Sequence, residues 1–366
     1  MDVAFQRLRN EHLVGEPCAG PEDVVQWLGA VQAQDYAGAK WALAQRSRNT
    51  TSAEIDELFG SGKLLRTHVM RPTWHFVSPL DIRWLLALTA PRVHAVNASY
   101  YRKLELDDAI FEKSQAVFVR ELQGDGQLTR TELARRLEQA GIVANGPRLG
   151  YIMMAAELDG VICSGALEGK QHTYALLDER VPPTQPLSRE RALAELARRY
   201  FTSHGPALLK DFSWWSGLTI ADTKSAIELA GKRLDRAELG EKVYWSGRSG
   251  STTTRSRSPT LHLLPNYDEY LVAYRDHSPS FDSALFDVSA PPGIFDGHIV
   301  VLDGKVVGGW RRTIERDGIT IRATLLVSCN EAETRALKAA AKRYGTFLGK
   351  PTTLTVDLAE RVKSQG

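Results

Sequence analysis

The chain has 366 residues, of which 43% are hydrophobic and 25% are charged, and its formal net charge is +2. These proportions are typical of a globular protein, and a chain of this length usually divides into several folding units. The small net charge does not diagnose a nucleic-acid-binding protein, so any basic surface must be local. No apolar run approaches the roughly 20 residues that span a bilayer, and the N-terminus lacks the apolar core of a signal peptide.

The cysteines are scattered along the chain and form no Cys-x-x-Cys pair. This spacing argues against a disulfide framework and against a cysteine-ligated metal site. We therefore expect a cytoplasmic protein that contacts no membrane and needs no metal.

The first candidate site is a short segment in which Ala33 separates two glutamines, Gln32 and Gln34. A helical pattern that begins at Pro21 precedes this segment, and an alanine-rich helical pattern follows it. We therefore predict that the pair lies in an exposed connection between two helices. Residues i and i+2 of an extended segment project on the same side, so both amides can hold one small target such as water. The alternative interpretation is that the glutamines only cap the flanking helices.

The next elements are a helix and a β-hairpin. Residues 51–54 have the Thr-x-x-Glu pattern of a capping box and predict a helix start, and residues 64–77 are rich in β-forming residues that Pro72 interrupts. Ser78 and Pro79 predict the start of the following helix. Two side chains of the predicted hairpin are candidates for DNA contact: Arg71 as a phosphate ligand, and His75, for which a buried structural role is the alternative.

Three segments repeat one order of elements. A capping box at residues 129–132 and two short strands near residues 161–177 give the middle segment the helix–turn–helix–hairpin order of a winged helix. The fold class that we predict is mainly α with small β-sheets. It has tandem winged-helix (helix-turn-helix) units at residues 1–108, 109–182 and 183–245, followed by a C-terminal β-rich α+β module at residues 246–366.

The C-terminal module begins with a basic, acid-free stretch that carries Arg248, Arg255 and Arg257. This stretch is either a DNA-phosphate contact or a plain linker. Residues 299–310 predict a hairpin with an Asp-Gly turn, and strands at residues 319–326 and 352–356 bracket a helix at residues 331–347. Asp268 and Glu269 form a carboxylate pair, for which a structural hydrogen-bonding role is the alternative to a role in a site.

Several segments together resemble the AlkZ-type DNA glycosylases, in the order in which that family has them. They are Gln32-Ala33-Gln34, the Met-Arg-Pro-Thr-Trp-His segment at residues 70–75, the Leu-Leu-Pro-Asn-Tyr-Asp-Glu-Tyr segment from residue 263, and Gly-Gly-Trp-Arg-Arg at residues 308–312. The resemblance implies tandem winged helices and a catalytic Gln–aliphatic–Gln motif, whose second Gln is Asp in another branch. The branch with two glutamines unhooks interstrand DNA crosslinks, often as self-resistance in antibiotic producers. Ala33 is smaller than the usual aliphatic residue.

This resemblance implies a monofunctional glycosylase that removes cationic N7-alkylated guanine, with Gln32 and Gln34 as catalytic residues and no cofactor. Its partner is double-stranded DNA with an alkylated or crosslinked guanine, and we expect a monomer near the nucleoid. His75 is expected to contact DNA near the lesion. Asp35 and Asp268 could give electrostatic support, although an Asp at the start of a helix is more often its cap.

The rival hypothesis is a non-catalytic winged-helix DNA-binding protein such as a transcription regulator, which the predicted fold alone would favour. A regulator usually dimerises on a palindrome, whereas three units in one chain fit a monomer that grips one lesion. Release of N7-methylguanine from DNA separates the two hypotheses, because a regulator would not catalyse it.

Overall fold

The computed structural model describes residues 1–248, 258–282, 285 and 297–359. Helix α1, Val3–Asn10, opens the chain, and the Asp2 side chain caps it by accepting a hydrogen bond from the backbone N–H of Phe5. The described residues combine many helices with small sheets, which confirms the predicted mixture. Among them, every helix is too short or too polar to cross a bilayer.

One order of elements occurs three times between residues 21 and 247: a helix, a two-residue strand, two helices and a β-hairpin. We refer to these segments as the first, second and third repeats. The first repeat comprises α2 Pro21–Leu28, β1 Val31–Gln32, α3 Tyr36–Arg46, α4 Ser52–Gly60, β2 Leu65–Val69 and β3 Arg71–Val77. The long helix α5, Ile82–Lys103, joins it to the second repeat.

The other two repeats contain the same elements in the same order. The second repeat comprises α6 Asp108–Leu122, β4 Leu128–Thr129, α7 Arg130–Gln139, α8 Gly146–Leu158, β5 Ile162–Glu168 and β6 Gln171–Leu176, and the short helix α9, Leu177–Arg180, follows it. The third repeat comprises α10 Arg189–Ser203, β7 Ala207–Leu208, α11 Leu209–Ser216, α12 Ile220–Ala230, β8 Leu234–Leu239 and β9 Lys242–Gly247.

Each repeat has the same sheet topology. The second strand of the hairpin is central, and the two-residue strand pairs with its outer edge, so the strand orders are β1-β3-β2, β4-β6-β5 and β7-β9-β8. The register is also shared, because Gln32 lies opposite His75, Thr129 opposite Thr173 and Leu208 opposite Tyr244. Gln32, Thr129 and Leu208 therefore occupy equivalent positions.

The local signals explain most element boundaries. Both predicted capping boxes are confirmed: Glu54 accepts a hydrogen bond from the backbone N–H of Thr51 at 2.6 Å, and Glu132 accepts one from Thr129 at 2.8 Å.

The hairpin at residues 64–77 is confirmed, but two details of this region differ from the prediction. The hairpin turns at Met70, whose φ is 63°, and Pro72 lies inside β3 rather than interrupting it. The ladder is irregular at that point, so the missing N–H of the proline is tolerated. Helix α5 also begins later than predicted, after Asp81 rather than at Ser78 and Pro79.

The C-terminal module is a five-stranded sheet among the described residues, with strand order β10-β11-β12-β13-β14. The first four strands form an antiparallel meander, and α14 carries the chain over to β14, which pairs in parallel with β13. The predicted hairpin and the strands that bracket α14 are confirmed. The elements are β10 Leu261–Leu264, α13 Glu269–Val272, β11 His298–Leu302, β12 Lys305–Ile314, β13 Ile319–Leu325, α14 Glu331–Leu348 and β14 Thr352–Leu358.

Two hydrophobic cores bring distant parts of the chain to the first repeat. One core packs Val31, Ala33 and Trp41 against the C-terminal sheet and α14, and the Trp41 indole donates a hydrogen bond to the carbonyl of Leu263 at 2.6 Å. The other packs the β2–β3 hairpin and α5 against the third repeat, with Trp215 fully buried. The glutamine segment therefore lies where the first repeat, the third repeat and the C-terminal module meet.

Candidate active site at the glutamine segment

Gln32 lies in a strand, which is more regular than the predicted loop, and Gln34 lies in the bend that follows it. Gln32 ends β1, and the backbone N–H of Ala33 continues the ladder by donating to the carbonyl of Trp74 at 2.7 Å. Val31 and Ala33 face the core, with exposed fractions of 1% and 0%. Gln32 alternates with these two residues and therefore projects to the opposite side of the strand. Gln32 is buried and Gln34 is exposed, so only the second amide is freely accessible from solvent.

An insertion of three residues distinguishes the first repeat from the other two. Helix α3 begins at Tyr36, four positions after Gln32, whereas α7 and α11 begin one position after Thr129 and Leu208. The inserted residues are Ala33, Gln34 and Asp35. The second glutamine is therefore present because the first repeat delays the start of its helix.

The Gln32 side chain contacts an arginine of the neighbouring strand. Nη2 of Arg71 lies 3.4 Å from Oε1 of Gln32, so the amide oxygen accepts from the guanidinium. The guanidinium of Arg71 also lies over the Trp214 ring, 5.7 Å from its centroid. Burial lowers the pKa of Arg71, and the charge of Glu269 partly offsets that effect. Arg71 thus contacts the amide oxygen of Gln32 and leaves Gln32 Nε2 as a donor.

Glu269 is a buried carboxylate that contacts the backbone of the glutamine segment. Its Oε1 accepts a hydrogen bond from the backbone N–H of Gln32 at 2.8 Å, and its Oε2 accepts one from the Trp215 indole at 2.9 Å. Nε2 of His204 lies 3.5 Å from Oε2. Burial by itself would raise the pKa of Glu269, but the neighbouring His204 and the backbone N–H of Gln32 outweigh burial and lower the pKa below its ordinary value of 4.5. Glu269 is therefore an ionised carboxylate with 0% exposure.

His75 does not reach the protein surface, which corrects the expected DNA contact. Its side chain has 0% exposure, and its Nδ1 donates to the carbonyl of Thr73 at 2.9 Å. Burial lowers the pKa of His75 to about 3, so the ring is neutral at physiological pH. Its Nε2 has no hydrogen-bonding partner among the described residues. Because His75 lies opposite Gln32 in the ladder, it forms part of the buried wall behind the pair.

The two aspartates that were candidates for electrostatic support have structural contacts. Asp35 caps α3 by accepting from the backbone N–H of Gly38 at 3.0 Å, as the alternative interpretation had it. Asp268 caps α13 and forms a buried ion pair with Arg46 at 2.7 Å, which Glu11 joins at 2.8 Å. The carboxylate beside the glutamines is therefore Glu269 rather than Asp268.

The basic stretch is only partly described. Arg248 is exposed, and its backbone N–H donates to the carbonyl of Arg233, the residue before β8. Arg255 and Arg257 lie outside the described residues. The structure therefore leaves the predicted DNA contacts of this stretch untested.

Two exposed aromatic side chains frame a cavity close to the site. Trp214 and Tyr267 are 49% and 36% exposed, and Trp214 is the residue that lies beneath Arg71. They share the lining of a cavity of about 280 Å³ with apolar residues from α13 and β11. Within the described residues, no cluster of His, Cys, Asp and Glu side chains has the arrangement of a metal site.

A family model, a related sequence and a solved structure all match this chain, and all three belong to one class of protein. The model of the family described as "DNA glycosylase AlkZ-like" matches residues 25–347. A similar protein is the interstrand DNA cross-link repair glycosylase of Streptomyces sahachiroi, which is 26% identical over 327 residues, covering 83% of this chain and 85% of the relative. The solved structure of Streptomyces sahachiroi DNA glycosylase AlkZ matches with a TM-score of 0.77 and 19% identity, over 97% of this chain and 98% of the other.

The match to the family model spans most of the chain and includes both the glutamine segment and Glu269. The chain belongs to the AlkZ-like DNA glycosylase family, as the resemblance implied. It is therefore a DNA glycosylase, and the rival interpretation as a transcription regulator is set aside.

Proposed function

We propose that this chain hydrolyses the N-glycosidic bond of cationic N7-alkylated guanine in double-stranded DNA, with a water molecule positioned by Gln32 and Gln34. The observation that carries the proposal is the geometry of the pair. Gln32 ends β1 with its amide oxygen in contact with Arg71, and Gln34 lies two positions later in an exposed bend.

The chemistry of the lesion explains why amides are sufficient. Alkylation at N7 gives guanine a positive charge, so the base departs readily and leaves an oxocarbenium-like sugar. Gln cannot accept a proton at neutral pH, but two amides can hold a water molecule beneath C1′, and such positioning typically contributes several kcal/mol. Glu269 is buried and accepts hydrogen bonds from two donors, so it contributes its negative charge and does not act as a general base. This arrangement favours cationic lesions over neutral ones.

We further propose that the substrates include bulky adducts and interstrand crosslinks. A crosslinked guanine is tethered to the opposite strand and cannot rotate freely into a closed pocket, which is the usual route of base excision. An exposed Gln34 suits an enzyme that acts on the lesion from an open surface. The name of the Streptomyces sahachiroi relative, an interstrand DNA cross-link repair glycosylase, also supports this reading.

The rest of the molecule would hold the duplex. We propose that the three repeats are winged-helix units with the boundaries given above, and that they act as a monomer with the glutamine segment in a concave surface. Arg71, Arg248, Arg255 and Arg257 are proposed phosphate ligands. Each phosphate contact should add about 0.9 to the slope of log affinity against log salt, without preference for a palindrome.

Three duplexes test the proposal: one with a single N7-methylguanine, one with a single N7–N7 interstrand crosslink, and one with uracil as a neutral lesion. We expect release of N7-methylguanine as free base, leaving an abasic site that alkali converts to a strand break. We expect the crosslinked strands to separate on denaturing electrophoresis and the uracil duplex to stay intact. Persistence of crosslinks while N7-methylguanine is excised would restrict the substrates to monoadducts. Retention of N7-methylguanine would refute the function.

A further inference from the structure

The backbone N–H groups of β1 alternate in direction, as in any strand. The N–H of Ala33 points to β3 and donates to Trp74, whereas the N–H of Gln32 points away from the sheet. At that outer edge it donates to Oε1 of Glu269, which lies 237 positions further along the chain. Because Gln32 is buried, this N–H would be costly to leave unpaired.

The other two repeats satisfy the equivalent amide locally. The N–H of Thr129 donates to Glu132 at 2.8 Å, and the N–H of Leu208 donates to Asp211 at 2.9 Å. In both cases the carboxylate belongs to the residue three positions later in the chain, in the first turn of the next helix. All three repeats therefore bind the outer amide of the short strand with a carboxylate.

The first repeat cannot use this local arrangement. The insertion of residues 33–35 moves the helix start away from Gln32, and the residue three positions ahead, Asp35, caps α3 instead. A carboxylate from the C-terminal module takes its place. The insertion that supplies Gln34 therefore also requires a distant partner for Gln32.

We infer that Glu269 is the positioning residue of the catalytic pair, and that it replaces the helix-capping carboxylate of the other repeats. The inference rests on the proposed function of Gln32 and Gln34. Two donors from different elements fix the carboxylate, Gln32 in β1 and Trp215 in α11, and Nε2 of His204 lies 3.5 Å from it. A charge-assisted hydrogen bond to a fixed carboxylate holds the backbone of the glutamine segment in place, while Glu269 itself has no surface on which to meet DNA.

Glu269→Gln tests the role in catalysis. A glutamine amide can accept from either the Gln32 N–H or the Trp215 indole, but its NH₂ group then faces the other donor, so one of the two bonds is lost. We expect the single-turnover rate at saturating enzyme on N7-methylguanine duplex to fall about 10- to 100-fold. The Kd for the duplex should stay within about twofold, because phosphate contacts elsewhere hold the DNA. Glu132→Gln is the matched control, since it makes the same change at the equivalent amide of the second repeat and should leave the rate unchanged.

Hydrogen exchange tests the same inference without a measurement of activity, first in the wild type and then in two variants. We expect the Gln32 amide to be protected from exchange, and the protection to be lost in Glu269→Ala, which leaves that N–H without an acceptor, but kept in Glu132→Ala. An unprotected Gln32 amide in the wild type overturns the inference even if Glu269→Gln fails to fold. A wild-type rate in a folded Glu269→Gln protein also overturns it. If protection behaves as expected but the wild type releases no base, the proposed function fails and the structural role of Glu269 stands.

Discussion

At the scale of single residues, Gln32 and Gln34 differ sharply in burial although they are two positions apart. Sequence reasoning and family resemblance located both residues, because the motif is local. Neither of them found the hydrogen bond between the Gln32 N–H and Glu269, since only the fold brings residues so distant in sequence together. The burial of His75 was not predicted for the same reason. Its alternation with Trp74 and Phe76 indicates a strand, but the pattern does not show that other parts of the chain cover the His75 side chain.

The contacts of Asp268 predict a structural rather than a catalytic effect for its loss. Asp268→Asn removes one of two carboxylates that neutralise the buried Arg46. We expect the free energy of unfolding, measured by urea denaturation, to fall by about 3 kcal/mol, because the buried charge of Arg46 loses one of its two partners. The saturating rate of base release should be unchanged at a temperature where the variant is folded. A stable variant that has lost its activity would instead return Asp268 to the active site.

A second ion pair provides the control for this measurement. Arg48 and Glu16 form an exposed pair, with side chains 60% and 89% accessible. Exposed pairs contribute little to stability, because water and salt screen them. Glu16→Gln should therefore unfold at the same urea concentration as the wild type.

At the scale of elements, the sequence predicted most helices and hairpins because their start and turn signals are local. Capping boxes at Thr51 and Thr129 and the Asp-Gly turn at residues 303–304 all appear as predicted. The two-residue strands were missed, since β1, β4 and β7 are too short to have a periodic pattern. These strands define the equivalence of Gln32, Thr129 and Leu208, so that relation was accessible only from the structure.

The Asp303-Gly304 turn gives a test at this scale. Gly304 has a φ of +86°, and an added Cβ would lie 3.0 Å from Cβ of Ala4 in α1. Gly169, in the turn of the β5–β6 hairpin, has a φ of +60° and open space around the same position. We expect Gly169→Ala to cost about 1 kcal/mol from backbone strain alone, and Gly304→Ala to cost measurably more. Equal losses in urea denaturation would mean that α1 does not pack against this turn.

At the scale of the whole molecule, shared cores place the glutamine segment between the first repeat, the third repeat and the C-terminal module. The sequence predicted the mixture of helices and small sheets, but patterns of hydrophobicity do not specify which units pack together. Trp41 and Trp215 are examples. In the sequence each has the pattern of an ordinary core residue, but in the structure each packs two distant parts of the chain together.

Buried histidines predict how the stability of the whole fold depends on pH. Burial lowers the pKa of His262 to about 3 and that of His172 to about 4, from an ordinary value of 6.5. The unfolded chain therefore binds more protons than the folded chain below pH 6.5. These histidines stabilise the fold above that pH and lose the contribution as pH falls toward 4. Glu11, whose pKa is raised by burial, gives a slope of the opposite sign.

A comparison of slopes isolates one histidine. Each such group adds up to about 1.4 kcal/mol per pH unit to the slope of unfolding free energy between pH 6.5 and its folded pKa. His262→Gln should therefore show a shallower loss of stability than the wild type when urea denaturation is measured between pH 7.5 and 4.5. Identical slopes would show that His262 takes up its proton without unfolding.

Gln32 and Gln34 are proposed to position the water that attacks C1′. Single-turnover release of N7-methylguanine from duplex DNA, at saturating enzyme, measures this step directly in the wild type, Gln32→Ala and Gln34→Ala. We predict that each substitution lowers the rate constant by at least about 100-fold, while the Kd for DNA and the unfolding midpoint stay close to the wild type. Wild-type rate constants in both variants would contradict the account.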